Sequence, residues 1–152
     1  MLLLLETALG LSGLVAGIYV SALIHDHRIA DLSASQYVAM HQMRDKTFRC
    51  AMPVVGLANL GFVVAAAAVA VGSGLPRILT VIAVVLLLAD MALTMGRQLP
   101  LNAQIQSWTD ATIPANWSQI RDKWAAQHVI RALLGLGAYA CLMTAALWPA
   151  VR

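Results

Sequence analysis

The sequence predicts an all-α integral membrane protein, a four-helix bundle with two amphipathic segments on its cytoplasmic side. Of 152 residues, 61% are hydrophobic and only 11% charged, with a mean hydropathy of +0.77. Soluble domains run near 25% charged. Four apolar stretches, about 2–24, 52–72, 78–95 and 129–148, each approach the ~20 residues that cross about 30 Å of hydrocarbon. They use up most of the chain, so one domain over 1–152 is expected, with no soluble appendage.

The first stretch lacks a basic leading region, carries Glu6 and is longer than the apolar part of a secretory signal. It therefore reads as a retained span. After it, Ser33 or Ser35 is placed to cap a helix running through 36–50 until Pro53. Tyr37, His41, Arg44 and Phe48 fall on one face of that helix, at steps of four, three and four. Spans two and three are joined by the short turn Ser73-Gly74-Leu75-Pro76, which requires an antiparallel hairpin. The Ala/Val run over 65–71 is membrane packing material. Pro100 follows span three and Pro114 precedes the last helix, which is expected to start at Asn116 or Trp117 and enter the membrane unbroken.

Orientation follows from the cations. Arg28, Arg44, Lys46 and Arg49 lie in the first connection, and Arg97, Arg121, Lys123 and Arg131 flank the third; only Arg77 and Arg152 lie on the other side. The positive-inside rule then predicts a multi-pass protein of the cell membrane with both termini outside. The net charge of +3 reads as topology and as affinity for membrane lipid. No basic run with interleaved stacking residues marks a nucleic-acid partner. An oligomer is compatible with this composition. Cys50 and Cys141 sit roughly 20 Å apart in depth, beyond disulfide reach, and no CxxC or CxxH accompanies them.

The richest chemistry lies over 99–131. Trp117, Arg121, Trp124, His128 and Arg131 follow at steps of four, three, four and three, an arc of about 80° on a helix. One face thus carries aromatic area, a titratable base and two cations. His128 beside Arg131 has the makings of a proton acceptor next to an oxyanion-stabilising cation; His41 with Arg44 is the matching pair on the first connection. The plainer reading is interfacial decoration, with Trp108, Trp117 and Trp124 as an aromatic belt. His25, His27, His41 and His128 all lie at the same end, so a copper or iron site built from them is an alternative. His25 and His27 do not share a helix face, and no HExxH or similar spacing is present, so no metal is favoured. Asp90 is counted level with Asn59 and Tyr139, as polar glue in the core or the floor of a pocket, and Glu6 lies near the outer end.

The pattern Pro100-Leu101-Asn102, Ile105, Trp108, Pro114, Trp117, Arg121, Trp124, His128, Ile130-Arg131 resembles the family of small four-helix membrane proteins that includes the anthrone oxygenases (the DUF1772 family). The likeness is good over 97–147. It is weaker toward the start, where Gly13, Gly17 and 41–53 look similar. Ala132 departs from the threonine that often follows the arginine. The resemblance implies a membrane monooxygenase that converts anthrones to anthraquinones in aromatic polyketide biosynthesis, and carries Asn102, Trp124, His128 and Arg131 over as recurrent positions. On this reading His128, Arg131, Asn102 and His41 are catalytic, while Trp124, Tyr37, Arg44, Trp117 and Arg121 bind a hydrophobic aromatic substrate that reacts with O2. No cofactor is favoured, with copper, iron or haem as alternatives. The rivals are a non-enzymatic scaffold or lipid- and partner-binding protein, and a redox protein using the histidines. The sharpest expectation is geometric: His128 and His41 point into one cytoplasm-facing cavity, with Arg131 and Trp124 on its wall and Asn102 at its rim.

Overall fold

A computed structural model describes residues 2–69 and 74–148. Four helices are long and apolar enough to cross a membrane. α1 (Leu2–Asp26) leads through a single 3-10 turn, Ile29–Asp31, into α2 (Ala34–Val69). α3 (Leu75–Leu93) continues through a π-helical turn, Thr94–Gln98, into α4 (Leu99–Gln106), and α5 (Trp117–Leu147) completes the bundle. Of the hairpin turn, Ser73 lies outside the described residues, as do 70–71 of the Ala/Val run, Gly72 at the end of the expected second span, and Arg152. Gly74 has φ +135°, which only glycine adopts without strain, and Leu75 and Pro76 open α3.

Both chain connections at one end of the bundle carry most of the cations, and it is here called the basic end. Of the two amphipathic segments expected there, the second runs into its span as expected, and the first is not a separate piece but an extension of the second spanning helix. Ser33 starts α2 through a reciprocal cap: the Gln36 N–H donates to Ser33 Oγ at 3.4 Å, and the Ser33 N–H donates to Gln36 Oε1 at 2.9 Å. Pro53 then lies inside α2 without ending it, contrary to the expected stop. Neighbouring helices re-satisfy the carbonyl that a proline leaves free, so apolar bundles tolerate it. Pro100 likewise does not close the third span. It sits in the first turn of α4, and the preceding turn is widened so that the Leu99 N–H bonds Thr94 O, five residues back. The start of α5 after Asn116 and its unbroken run into the apolar half match the sequence expectation.

The core has two storeys. In the apolar storey Ala8, Val63, Ala83, Leu87, Ala138 and Leu142 pack together. Small residues there let helices approach closely. At the basic end Ile29, Tyr37, Val38, Ile105, Trp108, Ile120 and Trp124 form a second, aromatic core. Trp108 is buried in it, so it is a core residue and not a belt residue. Gln42 ties α2 to the end of α4: its Nε2 donates to Ile105 O at 3.0 Å and Trp108 O at 2.8 Å, and Gln106 Nε2 donates back to Gln42 O at 3.1 Å. Carbonyls orphaned at the helix end are satisfied this way. Outside, Val54, Leu57, Ile78, Val85 and Leu133 are exposed, an apolar skin suited to lipid. Cys50 and Cys141 are free thiols.

Candidate functional site

Six aromatic rings run in line from the basic end toward the apolar storey. Trp117 lies 5.9 Å from Tyr37, Tyr37 5.7 Å from His41, and His41 and Trp124 form a T-shaped pair at 5.1 Å. Trp124 stacks on His128 at 5.1 Å with the planes 6° apart, and His128 meets Tyr19 at 5.8 Å. The helical spacing explains the ladder. Tyr37 and His41 are one turn apart on α2, Trp124 and His128 one turn apart on α5, so each pair presents two rings to the same seam.

Charged groups brace this ladder from both sides. Arg44 Cζ lies 4.7 Å from the Trp124 ring centroid while its Nη1 donates to Asp26 Oδ1. Arg121 packs over Trp117 at 5.1 Å and donates to Asp122 and to Ala30 O. Such cation–π contacts hold a guanidinium against a ring when water is scarce. Asn102 bridges two elements: its Oδ1 accepts from Trp124 Nε1 at 2.8 Å and its Nδ2 donates to Asp45 Oδ1 at 2.9 Å. The indole is therefore engaged by the stacked His128, by His41 at a steep angle, by Arg44 over the ring and through its N–H.

Beyond His128 the ladder ends in a closed polar triad. Arg131 Nε donates to Asp90 Oδ1 at 2.9 Å, Arg131 Nη2 donates to Tyr19 Oη at 3.0 Å, and Tyr19 Oη donates to Asp90 Oδ2 at 2.6 Å. The Asp90 and Arg131 side chains are 13% and 14% exposed. A lone charge at this depth is costly; paired and hydrogen-bonded, the two are tolerated. Asp90 thus belongs with Tyr19 and Arg131, and not with Asn59 and Tyr139 as the depth count had it. Asn59 instead accepts from Ser12 Oγ at 2.7 Å, and the Tyr139 ring packs against Gly13. Glu6 is exposed on α1, away from all of these.

Several buried polar atoms in this region have no hydrogen-bond partner: both ring nitrogens of His128, His41 Nδ1, Tyr37 Oη, Arg44 Nη2, Asp26 Oδ2 and both amide atoms of Gln98. Buried polar groups are satisfied in the great majority of cases, and leaving one unmade costs about 1–3 kcal/mol. These atoms are available to a polar guest, but the cavity expected around His41 and His128 is not one of the two best-formed hollows, which are lined by Leu4, Ala58, Gly61, Phe62 and Ala65 and by residues that include Ser35, Val38, Gln42 and Trp108.

The structure brings together the sequence-derived residues His41, Trp124, His128, Arg44, Tyr37, Trp117 and Asn102, with Arg131 one turn further in and Arg121 at the outer end. Trp124, expected on a cavity wall, is itself in ring contact with both imidazoles. Arg131 is not a free cation but half of an ion pair. The alternative four-histidine metal set does not converge: His25 and His27 are exposed, His41 and His128 each pack on the Trp124 indole, and among the described residues no three His, Cys, Asp or Glu side chains are grouped to hold a metal ion. Tyr19 and Gln98 were missed by sequence reasoning. A lone tyrosine in an apolar span facing an acid and an arginine in two others was the available signal for the first. No curated protein and no solved structure matches the chain. The model of the anthrone oxygenase family matches residues 40–141, a stretch that contains the whole ladder but Tyr19 and Tyr37. The chain belongs to the anthrone oxygenase family.

Proposed function

We propose that this chain oxidises a hydrophobic, aromatic, anthrone-like ketone with O2 at the inner side of the cell membrane, with both termini outside, and that His128 is the base. The observation that carries the reading is the state of His128: its ring is clamped between Trp124 and Tyr19, yet both of its nitrogens are buried and unpartnered. An imidazole held by its faces, with free nitrogens, is oriented for proton transfer to a bound molecule. The membrane concentrates both an apolar polycyclic substrate and O2.

The chemistry asks little more. An anthrone carries an acidic CH2 between two aryl rings, vinylogous to a ketone. His128 takes one of its protons, and the resulting anthrolate gives an electron to O2; recombination and return of the proton yield a hydroperoxide. Loss of water from it leaves the anthraquinone, so one O2 is consumed and one water released per turnover. Asn102 and the Arg131–Asp90 pair stabilise negative charge on the substrate oxygen. His41, Arg44, Tyr37, Trp117 and Arg121 shape an aromatic slot with Trp124. No metal or haem is invoked in this scheme; copper, iron or haem held by the histidines is the alternative, and elemental analysis with a visible spectrum of the purified protein separates the two.

The face carrying Trp124 and Arg121 is buried against α2 and α4, which favours an internal site over a docking surface for a partner or lipid headgroups. The test is O2 uptake by detergent-solubilised protein supplied with anthrone, with anthraquinone measured by its absorbance. His128→Ala is expected to abolish turnover while the thermal melt is retained. Full activity in His128→Ala would sink the assignment, and no turnover by the parent protein would sink the function.

A further inference from the structure

Three guanidiniums brace the ring ladder, and they differ in what each has left to offer. Arg121 places Nε and Nη2 on Asp122 and Nη1 on Ala30 O. Arg131 is closed into the triad with Asp90 and Tyr19. Arg44 gives Nη1 to Asp26 Oδ1, and its Nη2 is buried without a partner. Among the described residues it is the one arginine with a buried, unpartnered N–H group.

The surroundings of that group are fixed. The Arg44 Cζ is held 4.7 Å from the Trp124 centroid, so the fork cannot swing to water without losing a ring contact and an ion pair. Asp26 closes α1, its side chain is 8% exposed, and its second oxygen is also unpartnered. Tyr37 and His41 precede Arg44 on the same face of α2, and Tyr37 Oη and His41 Nδ1 are orphans too. None of these four residues lines either of the best-formed hollows. The room at Nη2 suits a guest of two or three atoms and not a tricyclic ketone.

We infer that Arg44 serves dioxygen: its Nη2 N–H donates a hydrogen bond to the superoxide formed when the substrate anion passes an electron to O2. This rests on the oxygenase reading above and gives Arg44 a role beyond shaping the slot. Once His128 holds the substrate proton, one electron moves from the carbanion to O2, leaving a carbon radical and superoxide. The two couple through a new C–O bond, and the peroxide anion takes the proton back from His128. Arg44 keeps its own protons throughout. Neutral O2 accepts hydrogen bonds poorly and superoxide strongly, so a fixed cationic donor favours the electron transfer over the ground state. Arg121 and Arg131 have no such buried donor to give.

Kinetics with O2 varied at saturating anthrone test this, beside the anthrone Kd from tryptophan quenching without O2. Arg44→Met alone would strand Asp26 as a buried carboxylate, so the informative protein is Arg44→Met with Asp26→Leu, an apolar replacement of the pair. Its kcat/KM for O2 should fall ten- to a hundredfold, the worth of a hydrogen bond to a charged group. Its anthrone Kd should stay within about twofold of the parent value. Asp26→Asn keeps the guanidinium and removes the carboxylate that neutralises it, so kcat/KM for O2 should hold or rise. Arg44→Lys, with a smaller loss of the same kind, repeats the test should the double variant fail to fold. Were the pair only a brace, both members would matter alike and anthrone binding would weaken with them. The inference is overturned by a kcat/KM for O2 that the double variant leaves unchanged, as when water alone serves Nη2. It is equally overturned if Asp26→Asn loses as much as the double variant. In both cases the oxygenase reading stands. No O2 uptake by the parent protein with anthrone overturns that reading and this inference together.

Discussion

Arg131 reaches from α5 to Asp90 on α3 and is neutralised there, at 2.9 Å, one turn beyond the imidazole of His128. The pair joins two helices in the apolar zone, with Tyr19 of α1 bonded to both members. Removing one partner leaves the other charge buried, which costs about 3–5 kcal/mol. Asp90→Asn should therefore lower the melting temperature sharply and abolish anthrone oxidation. The double variant Asp90→Leu, Arg131→Met should regain most of the stability, since an apolar replacement of a buried pair is tolerated, and none of the activity. A double variant that still turned over substrate would show the pair to be scaffold alone.

Trp124 separates two functions that one substitution can part. Trp124→Phe keeps a ring between His41 and His128 but strips Asn102 Oδ1 of its donor, a loss of about 1–3 kcal/mol. Trp124→Ala also empties the layer and should cost about 3–5 kcal/mol. Thermal melts rank the two, and O2 uptake should fall modestly in the first and be lost in the second. Equal activity in Trp124→Ala and the parent protein would rule out a substrate-binding role.

Gly135 is where Tyr19 is admitted. A Cβ there would stand 2.6 Å from Tyr19 Cε2 and 2.8 Å from Cδ2, inside contact distance for a ring that is itself 3% exposed. Gly135→Ala should cost about 1–3 kcal/mol or more by overpacking and should displace the phenol from Asp90, so activity falls with stability. Gly137→Ala, whose Cβ meets only Leu86 Cδ1 at 3.4 Å, is the control and should change the melt little. Similar melts for the two variants would contradict the packing argument.

The cap at Ser33 predicts a smaller, separable effect. Ser33→Ala should lower stability by about 1 kcal/mol, and Gln36→Ala somewhat less. The double variant should fall short of the sum, because the two side chains serve one reciprocal arrangement. Additivity in a denaturation series would show that they act apart.

Much of this was legible in the chain. Four spans, the start of α5 and the two aromatic–His–Arg stripes follow from composition and 3.6-residue spacing, and those stripes do meet. The failures share a cause: local rules read without neighbours. Pro53 and Pro100 are stops in an isolated helix, but packed neighbours and a five-residue turn absorb them here. The depth of Asp90 was counted along regular helices, and the π-helical turn between it and the basic end offsets that count. Arginine length did the rest, letting Arg131 reach a level that its Cα does not occupy. Tyr19 carries no periodic signal because the exposed face of its span is as apolar as the buried one, and Gln98 is aimed inward only by the irregular turn.

The 36 residues of α2 pass without interruption from the apolar skin to the aromatic core, a rod of about 54 Å against roughly 30 Å of hydrocarbon. α5 does the same on the facing side of the ladder. A rod that long answers a thinner or thicker bilayer by tilting, and any tilt of one rod relative to the other shears the His41–Trp124–His128 layer that they share. Lipid chain length thereby becomes a variable acting on ring spacing, along a ladder that starts at the basic end and finishes at the Arg131–Asp90 pair in the apolar zone.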